Sequence, residues 1–247
     1  MKVLAVIPAR YASSRFPGKP LADIAGKSMI QRVVERTSLS QGLSKVVVAT
    51  DDDRIYEHVR NFGAVVKTSQ DHQSGTDRCA EVSEYFPEYE IVINVQGDEP
   101  FIQPKQIELL IHSFLTPSVQ IATLVNRIKD RADLFNADIP KVTIDKSGNA
   151  LYFSRQAIPF LRGLSQERWF DEQSYFKHVG IYGYRREALR QITQLPVSDL
   201  EKAEALEQLR WLENGFAIRT ALSDYSSYGI DRPEDINHAI QLFQDLL

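Results

Sequence analysis

The sequence predicts a three-layer α/β/α sandwich on a mixed, mostly parallel sheet, with a small strand-rich subdomain projecting at about 120–180. Three observations carry this. Short apolar runs alternate with amphipathic stretches of about ten residues through the first half, which is the rhythm of βαβ units. Those runs show no polar face, as expected of strands buried on both sides of a parallel sheet. After about residue 120 the pattern changes to strand-like segments separated by turn residues, which reads as hairpins.

Taken in order, the strands of the first half are Val3–Ile7, Val46–Ala49, Ala64–Lys67 and Ile91–Val95. Helix signals fill the gaps. Ser28 and Gln31 form a capping-box pair before "MIQRVVERTSL",. Thr50 and Asp53 do similar work before a helix that stops at Gly63,. Pro104 opens "PKQIELLIHSFL" at a first-turn position,. In the second half, "KVTIDKSGNALYFSR" predicts two strands around a Lys-Ser-Gly-Asn turn, and "YFKHVGIYGYR" a third,. "GLSQERWFDEQS" reads as the loop between them. Ser198 and Glu201 cap one helix, "DLEKAEALEQLRWLEN", closed by Gly215,. A strand, "FAIRTAL", and a last helix from about Pro233 complete the reading. No repeat or linker divides residues 1–247, so we read a single domain.

Composition bounds the function. At 43% hydrophobic and 25% charged residues, the chain is an ordinary globular one, large enough to need no staple. Its single cysteine, Cys79, allows no disulfide within the chain,. No apolar run approaches a membrane span, and "MKVLAVIPAR" is too short for a signal peptide,. These features predict a cytoplasmic protein without membrane insertion. A net charge of −4 argues against general nucleic-acid binding,. Any anion must be held by a local cluster.

Open α/β sheets bind ligands beyond the carboxyl ends of their strands. The first such loop, 8–19, carries Arg10, Arg15 and Lys19 but one glycine, Gly18. It lacks the G-x-G-x-x-G of dinucleotide folds, and "GKS" at Gly26–Ser28 lacks the glycine and preceding strand of a P-loop. Three cations after a buried strand instead suit a loop that grips phosphates with side chains, an Arg fork and a movable Lys charge. A second loop, Gln96 to Glu99, ends a buried strand in carboxylates suited to Mg²⁺, a hard ion that takes oxygen ligands. The same Gly-Asp-Glu-Pro is also good turn chemistry. A third, "SQDHQSGTDRCAEV", fits a base-reading loop or simply a helix capped at Thr76. In "SSYGIDRPEDI", Asp231 and Glu234 fit a capping box. The histidines show no zinc spacing, and Ser13 and Ser14 have no base pattern beside them.

The motifs "IPARYASSRFPGKPL", "ATDDDRI", "DHQSGTDR", "NVQGDEP", "ALYFSR", "HVGIYGYR", "LEQLRWLENG" and "GIDRPEDI" run in this order along the whole chain. In this the sequence resembles the 3-deoxy-manno-octulosonate (Kdo) cytidylyltransferase family, which has a nucleotide-diphospho-sugar transferase fold. The resemblance implies Mg²⁺-dependent transfer of CMP from CTP to the anomeric hydroxyl of Kdo, a step of lipopolysaccharide biosynthesis. It implies that Arg10, Arg15 and Lys19 contact the CTP phosphates. Pro8, Ala9, Gly75, Thr76, Arg78 and Gln96 would surround the nucleotide. Asp98 and Asp231 would hold the metal. Arg155, His178, Tyr182, Glu207 and Gln208 would line the sugar-acid pocket. It also implies a homodimer built through the strand-rich subdomain. The alternatives are another sugar acid such as 8-amino-Kdo, or a non-catalytic nucleotide-binding relative.

Overall fold

The computed structural model describes residues 1–12, 15–226 and 228–246, so Ser13 and Ser14 lie outside the described residues. The chain opens with β1 (Val3–Ala9) and a two-stranded ribbon of β2 (Asp23–Ile24) and β3 (Lys27–Ser28). Then come α1 (Met29–Ser38), β4 (Lys45–Thr50), α2 (Asp53–Val59), β5 (Ala64–Lys67), α3 (Gly75–Tyr85), β6 (Ile91–Asn94) and α4 (Pro104–Ser113). The second half runs β7 (Ile121–Arg127), α5 (Arg131–Phe135), β8 (Lys141–Ile144), β9 (Ala150–Ser154), α6 (Gln166–Glu172) and β10 (Phe176–Arg185). It ends with α7 (Arg186–Ile192), α8 (Asp199–Glu204), α9 (Gln208–Glu213), β11 (Ile218–Leu222) and α10 (Asp235–Leu242).

The main sheet has the order β11-β7-β10-β6-β1-β4-β5. Strands β6, β1, β4 and β5 are mutually parallel. Strand β10 runs antiparallel to both β6 and β7, which makes the sheet mixed. The β8–β9 hairpin hangs from the start of β10, where Val142 faces Phe176. Strand β1 shows why its sequence is apolar without alternation. Val3, Ala5 and Ile7 pack into one core with Val33 of α1 and Leu110 of α4. Leu4 and Val6 pack into the other, with Val82 of α3, Leu189 of α7 and Trp211 of α9. Each such aliphatic side chain contributes about 1.5–3 kcal/mol by leaving water.

Several local expectations change. The cap of α2 is Asp52, which accepts from the Arg54 N–H, while Thr50 accepts from the Asp52 N–H. Ser28 does cap α1, but Gln31 turns away to Glu35, so the box is half made. The segment read as a loop at 163–174 contains α6, whose Trp169 is buried beside Leu134 and Tyr175. An isolated burial of one aromatic leaves too little periodicity to read a seven-residue helix.

The largest correction concerns 199–214. The single helix read there is two, α8 and α9, broken at Ala205, whose backbone is left-handed at φ 50°. The helix-forming sequence is overridden by tertiary contacts. Arg155 donates from Nε to the Glu204 carbonyl at 2.7 Å and from Nη2 to the Ala205 carbonyl at 3.3 Å. The Glu204 carboxylate in turn accepts from the Ser154 hydroxyl at 2.7 Å and the Arg155 N–H at 2.9 Å. These bonds offset the unfavourable φ, which costs an alanine on the order of 1 kcal/mol.

Candidate active site

The carboxyl ends of β1, β4, β5 and β6 lie side by side, because those strands are parallel neighbours. Their loops therefore meet. Gly97, just after β6, sits so close to the first loop that a Cβ there would lie 2.5 Å from the Pro8 carbonyl oxygen. A side chain cannot be accommodated without moving one loop or the other. We expect Gly97→Ala to cost about 1–3 kcal/mol of stability. A melting curve checks this; an unchanged midpoint would refute the close approach.

Lys19 stands at the centre of the site. A short 3₁₀ turn, Lys19–Leu21, begins after Gly18, whose φ of 74° suits glycine,. From there the Lys19 ammonium reaches Asp98 Oδ2 at 2.6 Å, the Ile230 carbonyl at 2.9 Å and Asp231 Oδ1 at 3.6 Å. Arg15 pairs with the other Asp231 oxygen at 3.2 Å. Asp231 is free for this because it is not a helix cap. The N-cap of α10 is Glu234, which makes no side-chain cap bond, and the turn before the helix is held by the Asp235 carboxylate, which accepts from the Asp231 and Arg232 N–H groups at 2.9 and 2.8 Å. Asp98 does sit in a turn at Gly97–Asp98, and Asp231 does not cap the helix; the two carboxylates meet in one polar cluster with Lys19.

The donor chemistry fits Mg²⁺. Asp98, Asp231 and the Ile230 carbonyl present three oxygens to one cationic point, as a hard ion requires,. Among the described residues no group of three or more His, Cys, Asp or Glu could hold a metal by itself. Two carboxylates with substrate phosphates and water completing the shell is the ordinary way Mg²⁺ is held.

The other nucleotide residues divide. Arg10 donates to the His72 carbonyl, so it ties the first loop to the third. A Cβ at Gly75 would lie 3.4 Å from the Pro8 ring, which brings those two residues together. Gln96 donates to the Gly180 carbonyl at 2.9 Å, at the irregularity between Val179 and Tyr182 in β10. Arg78 is different. It is 0% exposed, bonded to the Thr68 hydroxyl and 3.5 Å from Asp51. Burial lowers its pKa against the opposing pull of Asp51. It lies beneath the loops that follow β4 and β5, bracing those strand ends. Thr76 is not the cap of α3 either. Ser74 and Asp77 form that capping box, which leaves the Thr76 hydroxyl to donate to Glu207 at 2.8 Å.

The sugar residues also separate. A cleft of about 490 Å³ opens beside Glu99, lined by Asn126, Arg127, Lys177, His178 and Gly180. Of the five residues expected around the sugar, His178 lines it. Tyr182 stacks over Tyr184 and meets Trp211 edge-on at 5.1 Å. Glu207 is gripped by Thr76 and by Arg210, at 2.9 Å. Gln208 is buried, with its Nε2 lacking a partner. Arg155 donates to the carbonyls of Ala137, Glu204 and Ala205. Asn126 and Arg127 were not anticipated, although the strand-end rule reaches them: the apolar run 121–125 ends in these two residues,. Asn126 donates to the Tyr225 carbonyl at 2.7 Å, and its Oδ1 is buried without a partner.

His178 acts as a neutral group. Burial brings its pKa down from 6.5 to about 4. The Thr123 hydroxyl lies 3.0 Å from His178 Nε2 and 2.8 Å from the Ile181 carbonyl. The unfolded chain binds the extra proton near pH 6.5 and the folded one near 4, so stability is full above 6.5 and drains as pH falls toward 4,. We expect a loss on the order of 2 kcal/mol across that window, and a visibly shallower slope in His178→Gln. Urea midpoints at several pH values test it; equal slopes would contradict a neutral imidazole.

A family model described as cytidylyltransferase matches residues 4–244. A 3-deoxy-manno-octulosonate cytidylyltransferase from Cytophaga hutchinsonii is 52% identical over 239 residues, spanning 96% of this chain and 95% of its own length. Another of that name, from Parabacteroides distasonis, is 50% identical over 246 residues and 97% of each chain. The solved structure of a CMP:2-keto-3-deoxy-manno-octonic acid synthetase complexed with CTP is similar over 100% of both chains, with 43% identity and a TM-score of 0.93.

Proposed function

This chain belongs to the cytidylyltransferase family, and from that premise we propose that it transfers CMP from CTP to the anomeric hydroxyl of Kdo, releasing pyrophosphate. The observation that carries the reading is the meeting of Lys19, Arg15, Asp98 and Asp231 beyond the parallel strand ends. Cations and carboxylates in one cluster are what a metal-nucleotide triphosphate needs.

The reaction is an in-line displacement at the α-phosphorus. The bond to the sugar oxygen forms as the bond to the pyrophosphate oxygen breaks, and the proton of the sugar hydroxyl leaves to water. Such a transfer asks the protein for position and charge more than for covalent work. Asp98 and Asp231 would hold Mg²⁺, whose positive charge stabilises the attacking oxygen and the phosphate when it is bound. Arg10, Arg15 and Lys19 neutralise the triphosphate, and Lys19, already in reach of both carboxylates, turns to the departing pyrophosphate. Pro8, Ala9, Gly75 and Gln96 shape the nucleotide side. His178, Tyr182, Glu207 and Gln208 sort the sugar hydroxyls, where one lost hydrogen bond discriminates strongly.

Pyrophosphate release from CTP tests this, run with Kdo against sialic acid and methylerythritol phosphate. Turnover with Kdo at least about a hundredfold above the others is expected; equal or absent turnover with Kdo would overturn the reading. We further propose that residues 1–247 act as one domain, paired with a second copy through the strand-rich segment at 120–180. In support, β9 pairs with β8 alone, and Leu151 and Phe160 near it are 61% and 70% exposed. An apolar open edge favours coverage by another chain. No helix among the described residues is long and apolar enough to cross a membrane, and with CTP as the substrate we place the reaction in the cytoplasm.

A further inference from the structure

Thr76 stands in the loop expected around the cytidine, yet its side chain bonds Glu207, a residue expected around the other substrate. The helix does not need it, because the Ser74 hydroxyl accepts from the Asp77 N–H at 3.1 Å and the Asp77 carboxylate from the Ser74 N–H at 3.0 Å. Thr76 is 3% exposed, and its hydroxyl donates to Glu207 Oε2 at 2.8 Å, across 131 residues of chain. The second Glu207 oxygen accepts from Arg210 Nη2 at 2.9 Å. Arg210 is itself pinned, 3.2 Å from Glu201 and donating to the Leu195 carbonyl at 3.1 Å.

Glu207 reaches this position only because the helix is broken at Ala205, and Arg155 holds the break open. Two elements therefore grip one carboxylate, one from each half of the molecule. Burial pushes the Glu207 carboxyl up, while Thr76 and Arg210 pull it back toward the charged form. Each oxygen spends one lone pair on its grip and keeps another for a further donor. On the same helix, Gln208 Nε2 and Trp211 Nε1 are buried without hydrogen-bond partners. A polyhydroxylated ligand supplies donors and acceptors of this kind.

We infer that Thr76 is a positioning residue for the sugar acid and not a contact for the nucleotide: its hydroxyl, with Arg210, fixes the Glu207 carboxylate that receives a sugar hydroxyl. This rests on Kdo being the acceptor, with Glu207 on its side of the site. The hydroxyl loses its effect if the carboxylate has nothing to orient. Thr76 and Glu207 therefore form one unit, and removing either removes most of what both contribute.

The test compares Thr76→Val, Thr76→Ser, Glu207→Gln and the Thr76→Val/Glu207→Gln pair. Valine keeps the shape and removes the donor. We expect Thr76→Val to raise the KM for Kdo about ten- to a hundredfold, with CTP affinity measured without sugar within about twofold of wild type. Thr76→Ser should restore KM to within about threefold, which a packing defect would not allow, and Thr76→Val should add little in the Glu207→Gln background. A CTP affinity loss with unchanged Kdo KM would make Thr76 a nucleotide contact and overturn the inference. So would parallel loss of both with a lowered Tm, or no change in either. Wild-type turnover with Kdo is measured alongside; if wild type does not use Kdo, the acceptor reading itself has failed, whatever the variants do.

Discussion

Asp98→Asn is expected to fold as wild type does and to lose at least about a hundredfold in kcat, the scale for removing one group aimed at developing charge. The carboxylate does little for stability. Its pair with Lys19 is partly exposed, 31% on the Asp98 side, and such pairs contribute about 1 kcal/mol or less. The backbone around it is held separately, by the Ile230 N–H donating to the Asp98 carbonyl at 3.0 Å. Asparagine keeps the shape and one acceptor oxygen but removes the charge that balances Lys19 and would attract a dication. The asymmetry between activity and stability is therefore the result to look for. Turnover of purified Asp98→Asn at saturating Mg²⁺ and CTP, beside its Tm, decides the matter. A near-normal kcat would remove Asp98 from the reaction and leave the turn reading.

Arg155→Ala is expected to do something quite different from a simple loss of substrate affinity. The resemblance implies a sugar contact, and a guanidinium is a natural partner for a carboxylate. In the structure that guanidinium donates to three main-chain carbonyls, those of Ala137, Glu204 and Ala205. Close by, Lys141 donates to the Arg155 carbonyl at 2.5 Å and to those of Asn136 and Ile139 at 2.8 and 2.7 Å. Arg155 is thus the joint between the β8–β9 hairpin and the break before α9. Removing it strands acceptors and releases the left-handed Ala205, which should cost about 2–3 kcal/mol. Glu207 and Gln208 hang from that break, so the KM for Kdo should rise more than tenfold together with the lost stability. A selective rise in Kdo KM at unchanged Tm would instead identify Arg155 as a direct carboxylate partner. Loss of CTP binding alone would fit neither role.

What could be read from the sequence was what short-range chemistry decides. Strand β1 was legible because Val3 to Ile7 must be buried on both faces, and nothing outside those residues was needed to see it. The Ser198–Glu201 box was legible for the same reason, since both partners lie within one turn. The three cations after β1 suggested a phosphate-type loop by composition, and two of them, Arg15 and Lys19, meet at Asp231. The motifs, taken with the family, gave an expectation of which residues surround each substrate.

Only the tertiary structure decided which competing local bond wins. Thr50, Asp52 and Asp53 are all plausible caps, and Asp52 takes the role. Asp231 could have capped the last helix, but Glu234 takes the N-cap position, and Asp231 turns to Lys19 and Arg15. The sequence 199–214 has the makings of one helix, and Arg155 from a distant hairpin breaks it at Ala205. Lys19 meets Asp98 across 79 residues, and Thr76 meets Glu207 across 131. No spacing rule reaches so far. Local bonds compete within about 1 kcal/mol of one another, so a few long-range contacts of similar size settle them, and those contacts exist only once the sheet has set its strand order.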